Sequence, residues 1–180
     1  MDGLSLRFEV GCDPESIEFK EYWSRNGYTQ EYKGYSHSRL LEMLVSVVRS
    51  DFSQLIVWEE DSEIVGHAVW HESNTEAHRK GGYLRDKEDR EALEKLLGGK
   101  KSFVELHEWW LIEKYRKKGY GNEFLDFFEG YMKGKGYSVL IFYADHPAAL
   151  AAFREHGYKE GEYLEGSKEY VFYHSLKQNP

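Results

Sequence analysis

A strand-like apolar segment, a basic turn with two glycines and an amphipathic helix follow one another in the middle of the chain. Phe103–Ile112 is rich in aromatic and apolar residues, as a buried strand is. Gly119–Lys133 carries apolar side chains at helical spacing, which predicts a helix that buries one side. Gly134-Lys135-Gly136 ends that helix, and Ser138–Ala144 has the composition of another buried strand. A unit of this kind restricts the chain to folds in which helices cover a sheet, and it excludes a helical bundle or a β-sandwich.

The same patterns predict the other elements of an α/β fold. The remaining strands are Leu4–Val10, Gln54–Glu59, Glu63–His71, Tyr158–Leu164 and Glu169–Leu176. Four further helices are predicted. The first begins at Asp13-Pro14-Glu15, with the proline in its first turn, and the second covers Leu40 to Val48, with Ser36 or Ser38 as its cap. The other two are Asp86–Leu97 and Pro147–His156. Residues 75–102 form a polar insertion with one short helix, which is too small to bury its own core. We therefore expect one domain over residues 1–180 on a mixed sheet, in the order βααββ-(insert)-βαβαββ.

Composition excludes several classes of protein. The chain has 180 residues, of which 41% are hydrophobic, and its formal net charge of −8 argues against the basic face that nucleic-acid binding needs. Cys12 is the only cysteine, so we expect neither a disulfide framework nor a cysteine-rich zinc site. No apolar run reaches the roughly 18 residues that span a bilayer, and the N-terminus lacks a signal-peptide pattern. We expect a cytoplasmic protein without a nucleic-acid or membrane partner.

The turn before the central helix has the chemistry of a phosphate site. It reads Arg-Lys-Lys-Gly-Tyr-Gly-Asn over residues 116–122. Two glycines permit a tight turn, the first turn of the helix offers N–H groups and positive dipole potential, and the basic side chains add full charge. A dinucleotide fingerprint would need a third glycine at Phe124, and a nucleoside-triphosphate loop would end in Gly-Lys-Ser/Thr, which is absent. The alternative is an ordinary basic turn between a strand and a helix.

The motifs resemble those of the GNAT N-acetyltransferase superfamily. Its pyrophosphate motif, Arg/Gln-x-x-Gly-x-Gly/Ala, is matched by Arg116-x-x-Gly119-x-Gly121. Its later strand, its Ala-x-x-x-Tyr helix and its Gly-Phe pair are matched by Leu140–Tyr143, Ala149-x-x-x-Phe153 and Gly157-Tyr158. The resemblance covers nearly the whole chain. It implies a single N-acetyltransferase domain with a mostly antiparallel central sheet, which moves an acetyl group from acetyl-CoA to a primary amine by direct attack in a ternary complex.

The resemblance also implies which residues hold acetyl-CoA. Backbone amides of the glycine turn would bind its pyrophosphate, at Arg116, Lys117, Lys118, Gly119, Tyr120, Gly121 and Asn122. The preceding strand would pair with the pantetheine arm at Trp109, Trp110 and Leu111, and one of these amides would polarise the thioester carbonyl.

Two residues near the later helix depart from the family pattern. Phe153 stands where the family often has the tyrosine that protonates the leaving thiolate, and Tyr143 and Tyr163 are alternative donors. His146 replaces an asparagine, and it either contacts the cofactor or begins the helix.

Glu105 and His107 are the candidate catalytic bases. They lie eleven and nine residues before Arg116, at offsets where relatives in the family carry a glutamate or histidines. Period-two geometry places both on one strand face, with Glu108 on the other. A protonated amine must lose a proton before it attacks a thioester, directly or through water, which either side chain could accept. The alternative is that Glu105 pairs with a basic residue and that His107 is an ordinary sheet histidine.

We expect no bound metal. His107-Glu108 begins a metalloprotease-like pattern, but Leu111 stands where the second histidine would be. The other histidines show no ligand spacing with a carboxylate partner: His37, His67, His71, His78, His156 and His174.

Two functions other than acetyl transfer stay open on the sequence. One is a catalytically silent CoA-binding regulatory module of the same fold, which Phe153 favours, and the other is a phosphate-binding interaction protein. The acceptor, a small molecule or a peptide amine, is not determined by any pattern, and a homodimer is one possible arrangement.

Overall fold

The computed structural model describes residues 6–26, 34–76, 84–99 and 101–176. The elements follow in chain order as β1 (Arg7–Val10), α1 (Ile17–Arg25), α2 (His37–Val48), β2 (Leu55–Glu60), β3 (Glu63–Asn74), α3 (Leu84–Leu97), β4 (Ser102–Leu111), α4 (Tyr120–Gly134), β5 (Val139–Ala144), α5 (Pro147–Glu155), β6 (Lys159–Leu164) and β7 (Glu169–Ser175). The strands form one sheet in the order β1-β2-β3-β4-β5-β7-β6, in which β4 and β5 are parallel. The mixed α/β architecture and the order of elements that the sequence predicts are confirmed, with α3 as the helix of the insertion.

The first helix begins later than the sequence predicts. Ser16 is its N-cap and accepts a hydrogen bond from the Phe19 N–H (3.2 Å), while the Asp13 carboxylate accepts one from the Glu15 N–H (2.8 Å). The placement of Pro14 in the first turn is therefore wrong, because Asp13 closes a separate turn before the cap. The second helix is capped by Ser36, one of the two predicted serines.

The contacts divide the chain into two compact units, each described by itself. The first comprises Met1–Trp70 and Glu108–Phe124. Its hairpin joins β2 to β3 through Asp61 and Ser62, which both have positive φ, as a two-residue hairpin turn requires. The core of this unit consists of apolar residues from its helices and strands: Phe19, Tyr22, Trp23, Leu40, Leu44, Val48, Leu55, Val57, Ile64, Val69 and Trp110.

A glycine on β3 fixes how closely the end of β4 approaches. A Cβ on Gly66 would lie 2.7 Å from the carbonyl oxygen of Trp110 and 3.0 Å from a methyl group of Leu111. Any side chain here would push the β4 backbone away. Glycine at this position therefore allows Trp110 and Leu111 to lie close to β3.

The second unit comprises His71–His107 and Leu125–Pro180. Its core joins the insertion helix to the sheet through Ala92, Leu93, Leu97, Phe103, Val139, Ile141, Leu164 and Val171. A second layer of rings surrounds Phe142, which stacks on Tyr158 (centroids 4.7 Å apart) and contacts Phe153 (4.9 Å). The closing hairpin pairs β6 with β7, as the sequence predicts.

A half-buried carboxylate on α4 is held by an aromatic hydroxyl and a histidine. The Tyr158 hydroxyl donates to Glu129 Oε1 (2.5 Å), and His174 Nε2 lies 3.4 Å from Glu129 Oε2. Burial raises the pKa of Glu129, but the hydrogen bonds from His174 and Tyr158 and the nearby histidine charges outweigh it, so the pKa lies below its ordinary 4.5. A carboxyl with a depressed pKa stabilises the fold above its unfolded pKa, and that contribution disappears as the pH falls through the folded value.

We expect Glu129→Gln to lower the free energy of unfolding by about 1–2 kcal/mol at pH 7, since the charge-assisted hydrogen bonds become neutral ones. The difference from wild type should shrink as the pH falls below about 4, where wild type is protonated as well. Urea unfolding across this pH range measures it. Glu94→Gln, at an exposed position on α3, is the control and should leave stability nearly unchanged. A difference that stays constant down to pH 3 would contradict the role of the Glu129 charge.

Candidate active site

The glycine turn leads from a short 3₁₀ turn at Glu113–Tyr115 into the N-terminus of α4. Lys117 has φ +60° and Gly119 has φ +87°, so the backbone adopts the left-handed region twice before the helix begins. Gly119 also supplies the first helical acceptor, since its carbonyl receives the N–H groups of Asn122 (3.0 Å) and Glu123 (3.2 Å). Lys117 and Lys118 are exposed beside this end of the helix. The turn therefore places positive charge next to first-turn N–H groups, which is the arrangement that binds phosphate.

The Arg116 side chain braces the turn against β4. Its Nε donates to the Leu111 carbonyl (2.7 Å), and its guanidinium lies 5.1 Å from the centre of the Trp110 ring. On the other side of the turn, the Tyr115 hydroxyl donates to the Glu60 carboxylate, and burial together with that bond raises the pKa of Tyr115. These two contacts connect the segment before α4 to β4 and to β2.

Trp109, Trp110 and Leu111 have different surroundings within the first unit. Trp110 and Leu111 are buried, whereas Trp109 is half-buried. The Trp109 ring packs against Phe124 (5.7 Å), and a Cβ on Gly121 would lie 3.2 Å from its Cζ2 atom. The structure thus brings Trp109 to the glycine turn, where a side chain at 121 would make a tight contact with the ring.

Glu105 lies in the second unit between two histidines. Its side chain is 3% exposed; Oε2 lies 3.0 Å from His71 Nε2, and Oε1 lies 4.0 Å from His107 Nδ1. The His71 and His107 rings are 5.5 Å apart at nearly edge-on geometry. Glu105 and His107 therefore share one cluster, as predicted, and His71 of β3 completes it. Sequence reasoning missed His71 because its neighbour depends on how β3 and β4 lie in the sheet.

Several of the other histidines contact a carboxylate. His67 is fully buried. Its Nδ1 shares a hydrogen bond with the Tyr22 hydroxyl (2.7 Å), and its Nε2 contacts the Glu108 carboxylate. Outside this group, His156 contacts Asp126 (3.1 Å). These partners come from distant parts of the chain, which local spacing cannot show. His78 lies outside the described residues.

The two residues that depart from the family pattern are placed as follows. His146 is the N-cap of α5, where its Nδ1 accepts the Ala148 N–H (3.2 Å). Phe153 is 2% exposed and packs against Phe142 and Phe172. The structure supports the helix-start role of His146 and leaves its contact with a cofactor as a prediction.

The alternative proton donors differ in their contacts. The Tyr143 hydroxyl donates to Asp89 Oδ1 (2.8 Å), and Tyr163 is 40% exposed beside Tyr170. Cys12 is half-buried, and burial raises the pKa of its thiol, so it is held as a thiol and is a poor nucleophile.

Among the described residues, no group of three or more His, Cys, Asp or Glu side chains is arranged to hold a metal ion. No helix in that part of the chain is long and apolar enough to cross a membrane.

The model of the acetyltransferase (GNAT) family matches residues 17–158. An agmatine N-acetyltransferase, solved as an apo mutant, has a TM-score of 0.67 with 13% identity over 95% of this chain and 100% of its own. A polyamine N-acetyltransferase of Drosophila melanogaster that forms N-acetylagmatine has a TM-score of 0.63 with 13% identity over 95% and 100%. The NatC complex bound to a Gag peptide and CoA gives 0.63 with 10% identity over 97% and 99%. No curated protein matches the chain by sequence. At these identities the likeness to solved structures is one of fold.

Proposed function

Because the chain belongs to the GNAT acetyltransferase family, we propose that it transfers an acetyl group from acetyl-CoA to a primary amine, by direct attack in a ternary complex. The observation that carries this proposal is the basic glycine turn at the start of α4, against which Trp109 packs. Acetyl-CoA supplies the activated acyl thioester. We further propose that residues 1–180 act as one N-acetyltransferase domain in the cytoplasm, without metal, nucleic acid or membrane, and that a homodimer is its possible assembly.

The donor site would be built on the turn and the adjoining strand. The amides of residues 116–122 would face the pyrophosphate, and the N–H groups and positive dipole end of α4 support this assignment. The backbone of Trp109, Trp110 and Leu111 would pair with the pantetheine arm. The missing side chain at Gly121 lets the Trp109 ring pack against the first turn of α4, where the proposed pyrophosphate amides lie. His146 and Phe153 complete the proposed cofactor set.

The basic centre would be built on Glu105, with His107 beside it. Glu105 is a buried carboxylate whose described contacts include two histidines, and side chains of these types serve as general bases. The half-buried thiol of Cys12 supports direct attack rather than a covalent enzyme intermediate. Phe153 has no proton to give the departing thiolate, so Tyr143 or Tyr163 would supply it, or the thiolate would leave unprotonated.

The acceptor would be a small cationic amine. The net charge of −8 favours attraction of a cation. Two solved structures of similar fold are named for agmatine and for polyamines, which are amines of this kind.

Release of free CoA from acetyl-CoA in the presence of a panel of amines tests the proposal. The panel should contain polyamines, agmatine, arylalkylamines, amino sugars and peptides with free N-termini or lysines. We expect CoA release with at least one amine and none without amine, and calorimetric heat on binding acetyl-CoA. Binding of acetyl-CoA with silence across the panel would favour the CoA-binding regulatory module, which the buried Phe153 supports. Absence of any binding would overturn both.

A further inference from the structure

A network of three polar side chains crosses the first compact unit. The Tyr22 hydroxyl on α1 lies 2.7 Å from Nδ1 of His67 on β3, and Nε2 of His67 hydrogen-bonds the Glu108 carboxylate on β4. Tyr22 and His67 have no exposed surface, whereas the Glu108 side chain is 18% exposed. The network therefore leads from a buried hydroxyl to a carboxylate that a ligand can reach.

The network favours the charged form of Glu108. A carboxylate only accepts hydrogen bonds, and donation from the buried imidazole stabilises its ionised form. Burial, and after it the Glu108 charge, raises the pKa of Tyr22 well above its ordinary value of 10, against smaller effects that include the Arg116 charge. Tyr22 therefore stays a phenol and holds His67 at the ring nitrogen that does not face Glu108.

Aromatic rings surround the imidazole of this network. Three further ring centres lie 5.4–6.3 Å from that of His67 and belong to Trp23, Phe19 and Trp110. All three side chains are at most 6% exposed, so they keep water from the inner side of the network. Because charges interact more strongly where water is excluded, a cation beside Glu108 gains more here than on an open surface.

Glu108 directly precedes the residues that are proposed to pair with the pantetheine arm. Neighbouring Cα atoms are about 3.8 Å apart, so the carboxylate is within the length of a short alkyl chain of an acyl group held at Trp109. A carboxylate that binds the reacting amine as an ammonium ion would stabilise the ground state and oppose the attack. The group that fits Glu108 is therefore a cation that stays charged during the reaction.

We propose that Glu108 binds a second, non-reacting cationic group of the acceptor, and that the protein therefore selects diamines and guanidino-amines. His67 and Tyr22 are positioning residues that hold this carboxylate in place. The proposal rests on the proposed acetyltransferase function and narrows its acceptor from any small cationic amine to one with two cationic groups. The side chains of the network and the strand residue Trp109 all belong to the first compact unit.

Two amines of equal length test the role of Glu108. Putrescine differs from butylamine only in its second amino group, and calorimetric titration into protein saturated with CoA measures acceptor binding without turnover. We expect wild type to bind putrescine about 30-fold more tightly than butylamine, as a hydrogen bond to a charged group provides. Glu108→Gln should bind the two amines alike, with butylamine affinity unchanged. The glutamine amide still offers His67 an acceptor, so the fold should persist.

Glu59→Gln is the matched control. Glu59 lies on β2 of the same unit, its side chain is 20% exposed, and it pairs with Arg7, so its loss should leave the preference for putrescine unchanged. Tyr22→Phe keeps the ring and removes the hydroxyl, and it should reduce the preference about 3-fold because His67 loses a hydrogen bond. An unchanged preference in folded Glu108→Gln, or a wild type that does not distinguish the two amines, would overturn the proposal.

Failure of the acetyltransferase proposal has a different outcome. The protein would then release no CoA from acetyl-CoA with any amine, while calorimetry would still show whether putrescine binds through Glu108. Conversely, an active protein that acetylates butylamine and putrescine with equal kcat/KM would overturn the role of Glu108 and leave the acetyltransferase function in place.

Discussion

Replacement of Gly121 by aspartate is expected to lower the affinity for acetyl-CoA at least about 100-fold, or about 2.7 kcal/mol. Gly121 is the second residue of α4, and a Cβ there would lie 3.2 Å from Cζ2 of Trp109. The new carboxylate would occupy the position proposed for the pyrophosphate and compete for the same first-turn N–H groups. An acidic residue is tolerated at a helix N-terminus, so the fold should persist. Isothermal titration calorimetry with acetyl-CoA measures the loss.

Two further variants separate the causes of that loss. Gly121→Ala adds only the close contact with Trp109 and should cost less affinity than aspartate does. Gly130→Asp adds the same charge to an exposed position of the same helix, where a Cβ meets no heavy atom within 4 Å; it should bind like wild type. Undiminished affinity in a folded Gly121→Asp protein would remove the glycine turn from the cofactor site.

Replacement of Glu105 by glutamine is expected to lower kcat about 1,000-fold near neutral pH, within the range of general acid–base effects. The amide is nearly the same size but carries no charge, and it can present either an acceptor or a donor to His71. Both neighbouring histidines also lose the carboxylate that they share. Part of the rate should return at higher pH, where more of the amine is already deprotonated. Calorimetry should show unchanged acetyl-CoA affinity, since the carboxylate is not part of the proposed cofactor set.

Glu113→Gln is the matched control for this experiment. Glu113 is exposed on the 3₁₀ turn before the glycine turn, so the same loss of charge there should leave kcat unchanged. A Glu105→Gln enzyme with the wild-type rate and pH profile would show that the carboxylate has no part in the proton transfer.

Local patterns were sufficient for much of the fold. The apolar residues of α2 and α4 recur at helical spacing because each helix buries one side. The hairpin turn at Asp61 and Ser62 is predicted because two runs of strand-forming residues flank it. The start of α1 could not be predicted correctly, because two polar residues compete to cap it: Asp13 bonds to Glu15, which leaves Ser16 as the cap.

Less of the candidate site could be predicted from the sequence. Glu105 was found through its offset from Arg116, but its partner His71 is 34 positions away along the chain and comes close only through the folded sheet. The same holds for His67, which joins Tyr22 of α1 to Glu108 of β4. Such pairs depend on strand register and helix packing, for which a single sequence has no periodic signature.

The packing of Trp109 against the glycine turn also gives the protein an internal optical probe. Of the five tryptophans, four are at most 6% exposed, namely Trp23, Trp58, Trp70 and Trp110. Trp109 alone is half-buried, and its ring lies beside Gly121. Indole fluorescence shifts with the polarity around the ring, so the red edge of the emission belongs to Trp109 and the blue part to the four buried rings. A ligand that reaches the start of α4 would change the Trp109 emission, so binding could be followed without any attached label.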